Sequence, residues 1–256
     1  MSARYTYGDD EVAAERLALV AEVFAPTTTS FLRDVVTEPP ALALDLGCGP
    51  GLTTRLLRQV TDAVRTVGVD RSSAFLERAM LDAPEGVGFV EHDVTSVPMP
   101  EGPADLIFAR LLVAHLPEPP EIVRRWSTWL TIGGVLLLDE LEAIHAPDAA
   151  TRAYLDEVAI PVVREQGATL LAGPLLHAMS DPPGTVRAHD AVATLTPSAN
   201  ASARIFAMNL AVLTARGEVE PRLDLAQELE AAASGRRPIE ATIWRMRQIA
   251  WRRIGE

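Results

Sequence analysis

The sequence predicts an α/β fold built on a doubly wound, mostly parallel sheet. Three observations carry this. Short apolar runs alternate with segments of 3.6-residue periodicity between residues 41 and 140. The strand-like runs are apolar along nearly their whole length, as expected of strands covered on both faces. Three glycines within five positions, Gly47, Gly49 and Gly51, separate the first such strand from the first such helix. A strand passing through a glycine turn into a helix lets a ligand approach the main chain, because the Cβ atoms that would block it are missing.

In chain order, residues 9–36 read as two helices divided at Pro26, with Asp9 or Asp10 capping the first and Pro26 in the first turn of the second. Pro39-Pro40 ends this N-terminal helical cap, residues 1–40. Strand 41–45 then leads to helix 51–61, strand 65–70 to helix 72–82, and strand 87–92 to a proline-containing loop. Strand 104–109 leads to helix 118–130, where Ile122, Val123, Trp126 and Leu130 share a face, and 134–140 is the fifth strand. The rhythm changes after Glu142. Residues 148–180 read as helices punctuated by Pro147, Pro161 and Pro174, which gives a helical insertion at about 143–184 within a domain spanning 41–256. A strand at 185–196 and helices at 199–216 and 222–233 follow. The segment 239–253 fits both periods: Thr242, Trp244 and Met246 alternate, while Ile239, Ile243 and Ala250 suit a helix.

Composition narrows the partners. The chain has 256 residues and a net charge of -12. That acidic balance argues against a polyanionic nucleic acid as partner. The single cysteine, Cys48, excludes an intrachain disulfide and suits a reducing compartment. The opening ten residues are too polar for a signal peptide, and no apolar run reaches the roughly 20 residues of a membrane span. A cytoplasmic, small-molecule enzyme is the expectation. Helix 199–216 has apolar residues on more than one side, so it is either internal or a homodimer face.

The glycine spacing decides which nucleotide to expect. A dinucleotide turn reads Gly-x-Gly-x-x-Gly and seats a pyrophosphate on the helix N-terminus. Gly47-Cys48-Gly49-Pro50-Gly51 is tighter, and Asp45 stands just before it. A carboxylate there repels a pyrophosphate and attracts a cationic amino group, which points to a nucleoside joined to an amino acid, as in S-adenosyl-L-methionine. Alternatively, Asp45 caps the turn through main-chain N–H groups.

These residues resemble the class I S-adenosylmethionine-dependent methyltransferases, with four motifs in order over roughly 41–140. Leu-Asp-Leu-Gly-Cys-Gly-Pro-Gly at 44–51 resembles the family's first motif. Val-Gly-Val-Asp-Arg-Ser at 67–72 resembles the second strand with its ribose-binding acid. Phe-Val-Glu-His-Asp-Val-Thr at 89–95 resembles the adenine-binding corner. Asp-Leu-Ile-Phe-Ala-Arg at 105–110, His-Leu-Pro at 115–117 and Gly-Gly-Val-Leu-Leu-Leu at 133–138 resemble the fourth and fifth strands.

The resemblance implies a Rossmann-like seven-stranded sheet whose last strand is antiparallel. It also implies roles for particular residues. Gly47, Cys48, Gly49 and Gly51 would border the cofactor, with Cys48 a small buried side chain rather than a nucleophile. Asp45 would sit near the methionine amino group and Asp70, with Arg71 beside it, would take the ribose hydroxyls. Asp93 and the Val94 N–H would read adenine. Ala109 and Arg110 would line the methionine end, and Tyr7, or Tyr5, would fold over the sulfonium. No metal ligand set is expected.

On the acceptor side His115 and His145 are candidate bases, and Glu140 or Glu142 should face the substrate. Arg110 or Arg204 would anchor an acceptor carboxylate. The expected activity is O-methylation of a carboxylate or hydroxyl of a small metabolite in bacterial secondary metabolism. N- or C-methylation and a non-catalytic S-adenosylmethionine-binding role stand as alternatives.

Overall fold

The computed structural model describes residues 8–255. Seven strands form one sheet in the order β3-β2-β1-β4-β5-β7-β6. They are β1 (Leu42–Leu46), β2 (Arg65–Asp70), β3 (Val87–Glu91), β4 (Ala104–Arg110), β5 (Leu130–His145), β6 (Thr185–Leu195) and β7 (Ile243–Arg253). The first five pair in parallel, and β7 runs antiparallel between β5 and β6.

Strand alternation divides the core. Ala43, Leu106, Phe108, Val135 and Leu137 face helices α1 (Glu11–Val35) and α2 (Leu52–Thr61) through Phe31, Leu32 and Leu57. Leu44, Leu46, Ile107, Leu136 and Leu138 face the opposite side, toward Trp126 of α4 (Pro119–Ser127) and Leu176 of α7 (Gly173–Ala178). The remaining early helix, α3 (Ser73–Leu81), is capped by the Ser72 hydroxyl, which accepts from the Phe75 N–H at 3.2 Å.

A third apolar cluster lies beyond the C-terminal end of β5. It joins Val20 and Phe24 of α1 with α5 (Ala149–Tyr154), a π-helical turn (Leu155–Ala159), α8 (Ala199–Ala215) and α9 (Leu223–Ala233), and with Trp244 and Met246 of β7. The helical mass at this end therefore comes from three places: the N-terminal helix, the β5–β6 connection and the β6–β7 connection. A short α6 (Ile160–Glu165) continues the π-helical turn.

Two expectations need correction, and one open reading is decided. α1 does not break at Pro26 but runs through it as one helix of 25 residues. Its buried positions Ala13, Val20, Phe24, Phe31 and Val35 keep a seven-four-seven-four spacing on both sides of the proline. Burial of that continuous stripe outweighs the roughly 3 kcal/mol a proline costs inside a helix. β5 is longer than expected and ends at His145, so the insertion begins after it. Finally, the ambiguous C-terminal segment is a strand. β7 is flanked by strands on both edges and buried along most of its length, which erases the alternation that identifies half-buried strands.

Candidate active site

The turn after β1 is hooked to the tip of β2: Gly47 and Cys48 N–H both donate to the Val69 carbonyl, at 2.8 and 3.2 Å. Gly47, Gly49 and Gly51 all adopt positive φ, at 66°, 52° and 78°. A Cβ on Gly47 would be strained by that φ and would lie 2.7 Å from Leu112 Cδ1, so the Leu112 side chain after β4 would have to move. Gly51 serves packing instead: its Cβ would meet the Phe89 ring at 2.6 Å.

Asp70 closes β2. Its Oδ2 accepts from Gly49 N–H at 2.8 Å and its Oδ1 from Ser72 N–H at 2.9 Å, which ties the glycine turn to the next helix. Burial raises its pKa, against the pull of those N–H groups and Arg71. Asp93, after β3, uses Oδ1 for both the N–H and the hydroxyl of Thr95, at 2.9 and 2.7 Å. Partial burial pushes Asp93 up, but the Thr95 bonds and the nearby Arg71 outweigh it and hold the carboxyl below its usual range. The corner is fixed from behind by Trp126 Nε1, which donates to the Val94 carbonyl at 2.9 Å.

The loop after β4 forms the middle of the site. Leu111 takes a left-handed φ of 53°, a strained conformation for a residue with a Cβ, and its N–H donates to the Asp139 carbonyl at 3.1 Å. Glu140 Oε1 accepts from the Leu112 and Val113 N–H groups, both at 2.8 Å. Burial drives the Glu140 carboxyl up to about 8, so it is protonated at neutral pH. His115, on the 3₁₀ turn Val113–His115, is pushed down to about 4 by burial and by Arg16 and Arg71.

One cavity of about 750 Å³ runs along these strand tips into the third apolar cluster. Of the residues the sequence singled out, Gly47, Cys48, Gly49, Asp70, Arg71, Asp93, Val94, Arg110 and His115 line it. Seven do not, and Tyr5 and Tyr7 lie outside the described residues.

Each of the seven has another place. Asp45 is buried, and its Oδ2 accepts from the Thr53 and Thr54 hydroxyls at 2.6 and 2.7 Å, so it latches the start of α2 to β1 rather than meeting a ligand amine. Burial pushes Asp45 up to about 6 against those hydroxyls and Arg110. Gly51 caps α2, and Ala109 is packed inside the core. Glu140 faces inward to clamp the β4 loop instead of facing substrate. His145 is exposed at the end of β5, because the register shift between Leu141 and Ala143 puts Ile144, not His145, on the cavity side. Glu142 is engaged by Arg247 at 2.8 Å, and Arg204 is exposed.

The buried Cys48 thiol is held well above its usual pKa by burial and by Asp45 and Asp70, so it carries no nucleophilic thiolate.

Sequence reasoning missed Arg16, Asn209 and Arg216, which also line the cavity. Arg16 Nη1 donates to Asn209 Oδ1 at 3.3 Å across 193 residues. The only local signal is a charged residue on the apolar stripe of α1. Among the described residues no group of three or more His, Cys, Asp or Glu could hold a metal ion, and no helix is long and apolar enough to cross a membrane.

Comparison with known proteins agrees with this geometry. A methyltransferase-domain family model matches residues 44–138. Trans-aconitate 2-methyltransferase of Methylobacterium radiotolerans is 34% identical over 151 residues, 59% of this chain and 52% of that protein. The Rhizobium etli protein of the same name is 36% identical over 129 residues, 49% of this chain and 47% of that one. The chain thus spans about half the length of the curated relatives it matches. Among solved structures, a methyltransferase of Bacillus halodurans superposes with a TM-score of 0.61 at 14% identity, covering 90% of this chain and all of that one. The identity is low, so this likeness shows the fold alone. Residues 44–138 therefore match a methyltransferase domain, and the whole described sheet shares the fold of the methyltransferase structure it superposes on.

Proposed function

We propose that this protein transfers the methyl group of S-adenosylmethionine to a carboxylate oxygen of a small organic acid. The observation that carries this reading is the middle of the cavity. Arg16, Arg110 and Arg216 line it, and the histidine of the β4 loop, His115, is one that burial keeps neutral and weakly basic, while the other lining histidine, His92, stands beside Asp93 at the nucleoside end. A hydroxyl or carbon acceptor needs a base of competent pKa, whereas a carboxylate is already ionised and needs only a cation to orient it. The names of the related trans-aconitate methyltransferases favour the same acceptor class.

The lining fits an adenosyl amino acid. The turn Gly47–Gly49 offers main chain without Cβ atoms, and Asp70 and Asp93 present carboxylates at adjacent strand tips. Each carboxylate oxygen can accept more than one hydrogen bond, so Asp70 retains capacity for ribose hydroxyls and Asp93 for an exocyclic amine. When bound, S-adenosylmethionine supplies a methyl group already activated on a positively charged sulfur.

The protein's part is alignment and exclusion of water. Asp70 and Asp93 fix the nucleoside end, and the β4 loop clamped by Glu140 forms the floor between donor and acceptor. The arginines hold the acceptor carboxylate so that one oxygen lies in line with the methyl carbon. With S-adenosylmethionine held there, that oxygen would form the new O–C bond as the S–C bond broke, the S–C electron pair would stay on sulfur, and the protein would need to move no proton. Alignment of this kind is worth roughly 7–11 kcal/mol. A cation and an anion are neutralised along this path, so an apolar, water-poor surround favours the transition state over the charged reactants. The helices of the β5–β6 connection, with α8, close the acceptor end of the cavity.

The test is to incubate the protein with methyl-labelled S-adenosylmethionine and panels of carboxylic acids, phenols and amines. The expected product releases labelled methanol on mild base, as a methyl ester does. Label in base-stable products alone would overturn the carboxylate assignment.

A further inference from the structure

The two ends of the cavity differ in chemistry. In the strand order β3-β2-β1-β4-β5-β7-β6, the acids Asp70 and Asp93 stand over β2 and β3, whereas the far end lies over β5 and β7. β2 and β5 are three strands apart, about 14 Å at the usual spacing. Over that distance the wall changes from acids and glycines to Leu111, Ile144 and Leu170, all half-buried and backed by aromatic rings. Tyr154 stacks on Phe206 with centroids 4.9 Å apart, and Trp244 lies 5.4 Å from both Phe206 and Phe24. The indole N–H of Trp244 is committed to the Ser202 hydroxyl at 3.0 Å, so that ring offers the cavity no donor.

Among the described residues no cation of β5 or β7 lines the cavity. Arg247 of β7 is turned away into a bidentate pair with Glu142, at 3.0 and 2.8 Å, and a further bond to Asp190 at 2.7 Å. The cationic groups of the lining are confined to the middle of the site and the nucleoside end: Arg16, Arg110, Arg216 and Arg71. A second or third carboxylate of an acceptor reaching into the chamber would be stripped of water with no cation to pair it, which buried charge does not tolerate.

From this we infer that the acceptor is a monocarboxylate with an aromatic or branched apolar body, its carboxylate at the arginines and its body in the chamber. This rests on the carboxylate reading above and narrows it, and it sets the chain apart from enzymes whose acceptor is a tricarboxylate. An apolar body fills the chamber and completes the dry surround that the charge-neutralising transfer favours.

The experiment measures kcat/KM for phenyl-substituted and branched-chain monocarboxylates against trans-aconitate and a dicarboxylate of matched length. The wild-type protein is used, with binding of S-adenosylhomocysteine measured in parallel. The apolar monocarboxylates are expected to be favoured by about a hundredfold or more, the scale on which an unmatched polar group is rejected by an apolar pocket. Preference for trans-aconitate would overturn this inference while leaving carboxylate methylation intact. Failure to esterify any carboxylate while S-adenosylhomocysteine still binds would overturn the carboxylate reading itself.

A second variant locates the chamber. Leu170→Arg, in the loop before α7, should shift the ratio of kcat/KM toward the dicarboxylate by about tenfold, one or two new charge-assisted bonds being worth that much. An unchanged ratio in a folded variant would show that the acceptor does not reach this wall.

Discussion

The hydroxyl of Thr28, in the middle of the N-terminal helix, donates to Oδ2 of Asp139 at 2.7 Å across 111 residues. The same hydroxyl accepts from Arg110 Nη1 at 3.1 Å. One oxygen thus joins α1, β4 and β5 at the edge of the cavity. Asp139 is fully buried, and burial raises its pKa while Thr28, Arg110 and Gln248 pull it down. The helical cap is consequently bound to the sheet by a polar network as well as by Phe31 and Leu32. Thr28→Val keeps the shape and removes both bonds, and it should cost about 1–3 kcal/mol. Urea denaturation reads this directly, and a midpoint equal to wild type would show that the network adds nothing.

The two strand-tip acids should contribute separately to cofactor affinity. Asp93→Asn replaces one carboxylate oxygen by an amide donor and leaves an acceptor for Thr95. Calorimetry with S-adenosylhomocysteine should show about tenfold weaker binding, or roughly 1.4 kcal/mol, with little change in Tm. Asp70→Asn should weaken binding at least as much and also lower Tm, because Asp70 holds Gly49 and Ser72 N–H with both oxygens. Wild-type affinity in both would show that the nucleoside lies elsewhere.

His115 separates transfer to a carboxylate from base-assisted chemistry. Its pKa of about 4 leaves it neutral throughout the working range. His115→Gln should therefore lower kcat by less than tenfold, since removal of a true general base costs about 10²–10⁴. kcat should also show no limb near pH 6.5. Stability carries the opposite mark. The folded imidazole resists the proton that the unfolded one takes up, so stability present above pH 6.5 is lost as pH falls from 6.5 towards 4.

Glu140 predicts a slope in the other direction. Its folded pKa of about 8 lies above the ordinary 4.5, so the folded state holds a proton that the unfolded state releases. Its contribution is complete below pH 4.5 and is lost as pH rises from 4.5 through 8. Glu140→Gln keeps an acceptor for Leu112 and Val113 but cannot ionise. The Tm of the variant relative to wild type should therefore rise between pH 5 and pH 8. A constant offset would show that Glu140 does not titrate there.

What the sequence alone determined is local or periodic. A glycine turn after an apolar strand needs only neighbouring residues, which is why Gly47 and Gly49 were legible as one turn, while Asp70 was reached through the resemblance of residues 67–72. The alternating apolar runs specified a parallel sheet because both faces must be covered whatever covers them. Only the tertiary structure decided the rest. The apolar stripe of α1 carries the helix through Pro26 because both halves find partners, Phe24 against Trp244 and Phe31 in the sheet core. Asp45 and Glu140 are turned inward because donors from other elements, Thr53 and Thr54 of the next helix for one and Leu112 and Val113 of the β4 loop for the other, meet them there. His145 lost its place to Ile144 through a one-residue register shift that no local pattern announces. Arg16 and Asn209 come together from helices 193 residues apart, and nothing along the chain encodes that meeting except the packing that closes the cavity. Side-chain direction at a strand tip and contact between remote helices depend on which surfaces are buried against each other, and that is settled only when the whole core forms.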